Sequence, residues 1–145
     1  MHPRTCVIGA GISGLNAGKA LADHGVPYEC FESSDRIGGN WAFGNPNGHS
    51  SAYRSLHIDT SRELVSFRDF PMDPSYPDFP HHSQIKQYLE EYAEHFSLKE
   101  RITFGTRVDH AQRLDGGGWA VQTADGQAHE FDALVVANGH HWDPR

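Results

Sequence analysis

The chain is 145 residues long, with 37% hydrophobic and 21% charged residues. That is one domain's length and the balance of a globular chain that buries its own core without a disulfide or metal staple. Twelve Lys and Arg against 19 Asp and Glu leave a net charge of −7, which argues against a nucleic-acid partner, since such a partner needs a basic face. Two cysteines are too few for a disulfide framework and make a reducing, cytoplasmic setting the expectation. No apolar run reaches the ~18 residues of a membrane span, and the N-terminus has no signal-peptide core.

Arg4–Gly9 is a short apolar run with β-branched residues that ends in glycine, as a buried parallel strand does. From Ile12 the period changes: Leu15, Ala17, Ala20 and Leu21 suit a small-residue helix that Gly25 stops. Val26–Glu32 resumes strand character, and parallel strands need such a crossover helix, so α/β is the expected class. Residues 33–82 are rich in Gly and Pro yet carry Trp41, Phe43, Tyr53, Phe67, Phe70, Tyr76 and Phe79, which favours an ordered loop over disorder.

Ser83–Phe96 reads as a helix with Ser83 as its N-cap, and Ile85, Tyr88, Leu89, Tyr92, Ala93 and Phe96 on one apolar face. Short strands follow at Ile102–Val108, Trp119–Thr123 and Ala128–Phe131, with turn signals at Gly116–Gly118 and Asp125-Gly126. Asp132–Ala137 is a final buried strand ending at Asn138-Gly139.

Gly9-Ala10-Gly11-Ile12-Ser13-Gly14 is a G-x-G-x-x-G that follows a strand and opens a helix. Gly9 permits the tight turn, Gly11 the approach of a pyrophosphate and Gly14 close helix–strand contact. The helix N-terminus offers free N–H groups to the anion. Glu32 lies 18 residues after Gly14, at the end of the second strand, where a carboxylate accepts ribose hydroxyls and repels a 2′-phosphate. That fits NAD(H) or FAD in this first site. Gly38-Gly39 before Asn40-Trp41 either lets the backbone approach a second pyrophosphate-linked group or is a plain turn with Trp41 as core filler.

Gly9–Gly14, Glu32 and Asp35–Trp41, followed by Tyr53–Glu63, Phe67–Pro71, Tyr76–Ser83, Asp132–Val136 and Asn138–His141, resemble the flavin-containing monooxygenase family in order and spacing. The resemblance implies a Rossmann-type FAD-binding domain of class α/β: βαβ, long irregular loop, helix, small β-meander and return strand. It implies a domain that is incomplete, with residues 1–145 as its N-terminal segment and the NADPH-binding domain outside the chain.

It further implies an NADPH-dependent enzyme with FAD and NADP as cofactors. Such an enzyme passes one oxygen of O2, through a C4a-hydroperoxyflavin, to a small-molecule nitrogen or sulfur nucleophile. By motif, Gly9, Ala10, Gly11, Ile12, Ser13 and Gly14 would hold the pyrophosphate and Glu32 the adenosine ribose. Gly39, Asn40 and Trp41 would lie along the flavin half, and the Val108 backbone would meet the adenine. Baeyer–Villiger and N-hydroxylating relatives, and a nucleotide-binding module without activity of its own, are the rival readings.

Asp59, followed by Thr60, stands where the family usually has asparagine near the flavin's reactive edge and NADP. A carboxylate lacks the amide's N–H donors and, ionised, repels an anionic peroxide. Either Asp59 is held protonated in a desolvated pocket, or reduced flavin leaks peroxide and uncoupling rises.

The remaining signals read as structural. The 11 histidines, including the loop pairs His81-His82 and His140-His141, show no metal-ligand spacing, so no metal is expected. Cys6 and Cys30, on neighbouring strands, read as buried thiols, with a redox pair as the minor alternative. Ser50, His57 and Asp59 lack the nucleophile elbow a hydrolytic triad would need. Arg54, Arg62 and Arg68 read as solvated.

Overall fold

A computed structural model describes residues 2–142. Strand β1 (Thr5–Ile8) lies between β2 (Tyr28–Phe31) and β7 (Ala133–Val136), parallel to both, and the two-residue β3 (Ile102–Thr103) extends the far side of β2. The crossover from β1 to β2 is α1 (Ile12–Asp23). Its end is a Schellman turn: Gly25 sits at φ +65°, its N–H donates to the Ala22 carbonyl, and the Val26 N–H reaches back to the Leu21 carbonyl.

Strand register divides the side chains between two cores. Val7 stands opposite Cys30 and Val135, and all three face a helical layer containing Leu15, Ile85, Leu89 and Tyr92. Cys6, Phe31 and Leu134 point the other way, onto an antiparallel meander of β4 (Val108–Arg113), β5 (Trp119–Thr123) and β6 (Ala128–Phe131) through Val121 and Phe131. A sheet covered on both faces needs apolar residues at successive positions, which is the pattern of Cys6-Val-Ile8 and Leu134-Val-Val136.

This register also excludes the redox pair. Cys6 pairs with Glu29 while Cys30 pairs with Val7, so the two thiols lie on opposite faces of the sheet. Burial pushes each thiol up to about 12, with nearby Glu29 adding to the effect on Cys6 and Glu32 to that on Cys30.

Four sequence expectations are corrected. The stretch Ile102–Val108 is not one strand. After Thr103 the chain turns at Gly105 (φ +63°), whose N–H donates to the Ser34 carbonyl while the Thr106 N–H donates to the Glu32 carbonyl, and it then enters the second sheet as β4.

Helix α3 (His82–His95) is capped by His81 rather than Ser83. The Ser83 N–H donates to His81 Nδ1, and Gln84 Oε1 accepts the His81 N–H, forming a capping box built on imidazole. His81-His82 is therefore a helix start and not a loop pair, and His82 is buried.

Arg62 is not merely solvated. It opens the four-residue α2 (Arg62–Val65), and its guanidinium donates to the Pro74 and Tyr76 carbonyls, pinning the proline-rich loop. Arg54 and Arg68 are exposed as expected.

The apolar face of α3 is core, as its periodicity predicts. Tyr88 and Tyr92 pack against Phe67 and Phe70 from the irregular segment, stacked, tilted or edge-on. The Tyr88 hydroxyl donates to the Phe70 carbonyl (2.6 Å) and accepts the Phe67 N–H (2.8 Å). Aromatic burial thus orders a stretch that has almost no secondary structure of its own.

Candidate nucleotide-binding site

Ile8, Phe31 and Val136, the last residues of β1, β2 and β7, line one cleft of about 790 Å³. Parallel α/β sheets bind ligands at this end of the strands, where successive crossovers leave in opposite directions. Here β1 is followed by a helix on one face, and β7 is reached through the meander on the other.

The floor of the cleft is a glycine cradle. Gly9 adopts φ +101°, and a Cβ there would meet the Ala137 carbonyl oxygen at 2.5 Å. Gly11, the N-cap of α1, brings no side-chain cap to the first-turn amides, so they remain open to an anion. Across the cleft Gly39 (φ +54°) approaches so closely that its Cβ would lie 3.1 Å from the Gly11 Cα.

Gly9, Gly11, Ile12, Ser13, Glu32, Gly39, Asn40, Trp41 and Val108 all line this one space. Ala10 and Gly14 lie behind it as supports. Ala10 is fully buried, and a Cβ on Gly14 would sit 1.8 Å from the Gly9 carbonyl oxygen. Asp59 and Thr60 are not among the lining residues. Asp59 is exposed, and its side chain meets only the Thr60 hydroxyl at 3.4 Å. The desolvated pocket posed for Asp59 is not formed by the described residues.

Glu32 is 5% exposed at the cleft wall. Its Oε2 accepts the Ala10 N–H at 2.6 Å; its Oε1 accepts the Ser34 N–H at 2.7 Å and the Ser33 hydroxyl at 3.2 Å. A carboxylate so bonded is held in one rotamer and supports the turn of the phosphate loop. Asn40 is fixed on the opposite side, its Oδ1 accepting the Ser51 N–H and its carbonyl the Ser50 hydroxyl. Trp41 belongs to both descriptions offered by the sequence: it packs against the core and lines the cleft.

At Val108 the β4–β5 register shifts, so Asp109 is an extra residue in the ladder. Such a bulge re-aims backbone beside a site, and Asp109 there is paired with Arg107. Ser50, His57 and Asp59 form no relay, since the Ser50 hydroxyl is spent on Asn40 and His57 Nδ1 lies beside the Ser55 carbonyl.

Sequence reasoning missed Ser33, Asn47, His49 and the 138–142 segment, all of which line the cleft. The Asn45-Pro-Asn-Gly48 turn formers announce a turn, but nothing in their spacing says it folds back onto residue 33. His49 stacks on Trp142 with ring centroids 3.8 Å apart, and the Ser51 hydroxyl donates to the His141 carbonyl. Outside the cleft, burial lowers the basicity of His82, and neighbouring His81 lowers it further. Among the described residues no group of three His, Cys, Asp or Glu is placed to hold a metal ion, and no helix is long and apolar enough to cross a membrane.

The cradle fits a dinucleotide: close backbone approach at Gly11 and Gly39, open helix amides, and a fixed carboxylate on the wall. The comparisons with known proteins agree with it. Rat (Rattus norvegicus) flavin-containing monooxygenase 5 is 40% identical over 97% of this chain. Guinea pig (Cavia porcellus) dimethylaniline monooxygenase [N-oxide-forming] 2 is 39% identical over the same share. The chain spans about 28% of the length of each.

Among solved structures, S-allyl-L-cysteine S-oxygenase from Allium sativum superposes with a TM-score of 0.90 at 30% identity, covering 100% of this chain and 38% of that one. A steroid monooxygenase bound to NADP superposes at 0.83 and 28% identity, covering 95% and 26%. FAD and NADP are thus the cofactor pair these likenesses support. The family model for flavin-binding monooxygenase-like proteins matches residues 2–145, a span that holds the parallel sheet, the glycine cradle and Glu32, and the chain belongs to that family.

Proposed function

We propose that this chain is the N-terminal, FAD-binding segment of an NADPH-dependent monooxygenase that delivers one atom of O2 to a soft nitrogen or sulfur nucleophile. The observation that carries this reading is the single cleft at the strand ends, where the glycine cradle, the open α1 amides and Glu32 converge. Bound FAD supplies the redox and oxygen chemistry. The chain's residues do the holding: first-turn amides of α1 for the pyrophosphate, Glu32 for a ribose hydroxyl, Gly39–Trp41 for the far half, and the Val108 backbone for the adenine.

The share of the relatives that the chain covers supports placing NADPH binding and the substrate pocket in sequence beyond it. Support for nitrogen or sulfur oxygenation comes from the N-oxide-forming and S-oxygenase relatives. A Baeyer–Villiger reading has its own support in cyclohexanone monooxygenase, at a TM-score of 0.82. Offering the intact enzyme a thioether and a cyclic ketone separates the two by product.

The direct test is the visible spectrum of the purified chain after incubation with FAD and gel filtration. Retained flavin, near one per chain, is expected. A folded chain that shows no saturable FAD binding in direct titration refutes the assignment of this cleft. In the intact enzyme, Asp59→Asn is expected to lower the NADPH consumed per product formed; an unchanged ratio removes Asp59 from the reaction.

A further inference from the structure

Glu32 is surrounded by more donors than a ribose ligand needs, and one of them, the Ser33 hydroxyl, is itself met by a turn that no motif includes. Asn45 is 7% exposed; its Oδ1 accepts the Ser34 hydroxyl at 2.7 Å and the Asn47 N–H at 3.4 Å, folding the Asn45-Pro-Asn-Gly48 turn back toward β2. Asn47 Oδ1 accepts the His49 N–H at 3.0 Å, and Asn47 Nδ2 lies 3.0 Å from Ser33 Oγ. A backbone N–H only donates, so the side-chain atom facing His49 is the amide oxygen. The atom facing Ser33 is therefore the amide nitrogen.

That assignment fixes a direction. Asn47 Nδ2–H donates to Ser33 Oγ, and the Ser33 hydroxyl proton is left to donate to Glu32 Oε1, 3.2 Å away. With the Ser34 N–H on the same oxygen, Oε1 is saturated. Oε2, which accepts only the Ala10 N–H, keeps one lone pair free. Among the described residues the second Nδ2–H of Asn47 has no partner. Glu32, Ser33 and Asn47 all line the cleft, which therefore presents one acceptor and one donor along the same wall.

We propose that Asn47 is a positioning residue for Glu32, acting through Ser33, and that the Asn47–Ser33–Glu32 relay makes the cleft selective for a ribose with a free diol. One ribose hydroxyl donates to the open lone pair of Glu32 Oε2, and the neighbouring hydroxyl oxygen accepts from Asn47. This rests on the nucleotide reading of the cleft and goes beyond it by naming what sets ribose recognition.

The test is calorimetric titration of the chain with ADP, 2′,3′-dideoxy-ADP and inorganic pyrophosphate, for the parent and for Ser33→Ala and Asn47→Asp. Asn47→Asp keeps the oxygen that accepts the His49 N–H, loses the donors and adds a negative charge, whereas Ser33→Ala breaks the relay with no change of charge. The parent should prefer ADP over the dideoxy analogue by about tenfold, the worth of a hydrogen bond to a charged group. In both variants the preference should fall to about threefold or less, with pyrophosphate affinity in the charge-neutral Ser33→Ala changed by less than about twofold because its amides are untouched.

A preference that survives in both variants overturns the relay, as does a parallel loss in Ser33→Ala of both nucleotides together with pyrophosphate, which marks a purely structural role. A parent that binds ADP and its dideoxy analogue equally overturns ribose recognition but leaves nucleotide binding standing. A folded parent that binds none of the three probes overturns the nucleotide reading itself.

Discussion

Gly11 and Gly14 belong to the same fingerprint, yet the structure gives them separable roles. A Cβ built on Gly14 falls 1.8 Å from the Gly9 carbonyl oxygen and 2.9 Å from its carbon. Both are backbone atoms, so no side chain can rotate away. Relief to an ordinary contact of ~3.2 Å needs α1 to move by roughly 1.4 Å against a close-packed sheet. We expect Gly14→Ala to cost about 3 kcal/mol or more, at the upper end of overpacking penalties, and to lower Tm by about 10 °C for a chain of this size.

Gly11→Ala is different. Its Cβ would meet only Gly39, at 3.6 Å or more, and Gly11 has φ −78°, which any residue adopts. The loss of a favoured N-cap glycine and the gain from a stiffer unfolded chain are each about 0.5–1 kcal/mol and opposed, so Tm should move little. The added methyl nevertheless covers bare backbone on the floor of the cleft, where the proposed pyrophosphate needs close approach. The assay is thermal unfolding by circular dichroism beside FAD titration of both variants. Gly14→Ala should lose stability first, and Gly11→Ala should lose FAD while keeping the parent's Tm. Equal Tm losses in the two variants, or a Gly14→Ala protein as stable as the parent, would refute the reasoning.

Other outcomes follow from named contacts. Tyr88→Phe should destabilise by about 1–3 kcal/mol in urea unfolding, because it strands the Phe67 N–H and the Phe70 carbonyl; a change below ~0.5 kcal/mol would show that water replaces the hydroxyl. The basicity of buried His82 is lowered from the usual value near 6.5, so the unfolded chain takes up its proton first as pH falls. Its contribution to stability is complete above that value and drains away below it. The parent minus His82→Phe difference in stability should therefore shrink between about pH 7 and pH 5, and a pH-independent difference would contradict this. With burial holding both thiols up near 12, Cys6 and Cys30 should resist Ellman's reagent in the native chain and react together on unfolding; native labelling, or a disulfide after mild oxidation, would contradict the opposed register.

Features with a local cause were legible in the sequence. The β1–α1–β2 unit, the α3 core face and the β5–β6 hairpin depend on period, turn residues and apolar runs, and they lie where expected within a residue or two. The misses have non-local causes. Ser83 resembles a cap, but the capping oxygen or nitrogen must meet the N–H two or three residues on, and His81 occupies that place because its ring also reaches the Arg54 carbonyl. Ile102–Val108 has strand propensity throughout, yet only the folded position of Ser34 and Glu32 explains why the backbone leaves the sheet at Gly105. Asn47 was invisible for the same reason: its partner lies 14 residues away, through a turn whose path is set by buried Asn45.

Glu32 joins these two kinds of information. Its place 18 residues after Gly14 marks it from sequence as a ribose acceptor, but in the structure it also satisfies the Ala10 N–H inside the phosphate loop. Replacing it would remove the proposed ribose contact and leave a buried donor unpaired in the same step, so loss of nucleotide in a Glu32 variant could not be assigned to the ribose. Ser33 bonds only the carboxylate oxygen that Ala10 does not use, and Asn47 reaches that oxygen only through Ser33. Gly11 touches the opposite wall of the cleft without touching the carboxylate. Ribose recognition and phosphate accommodation are therefore separable by substitutions beside Glu32 and not by substitution at Glu32.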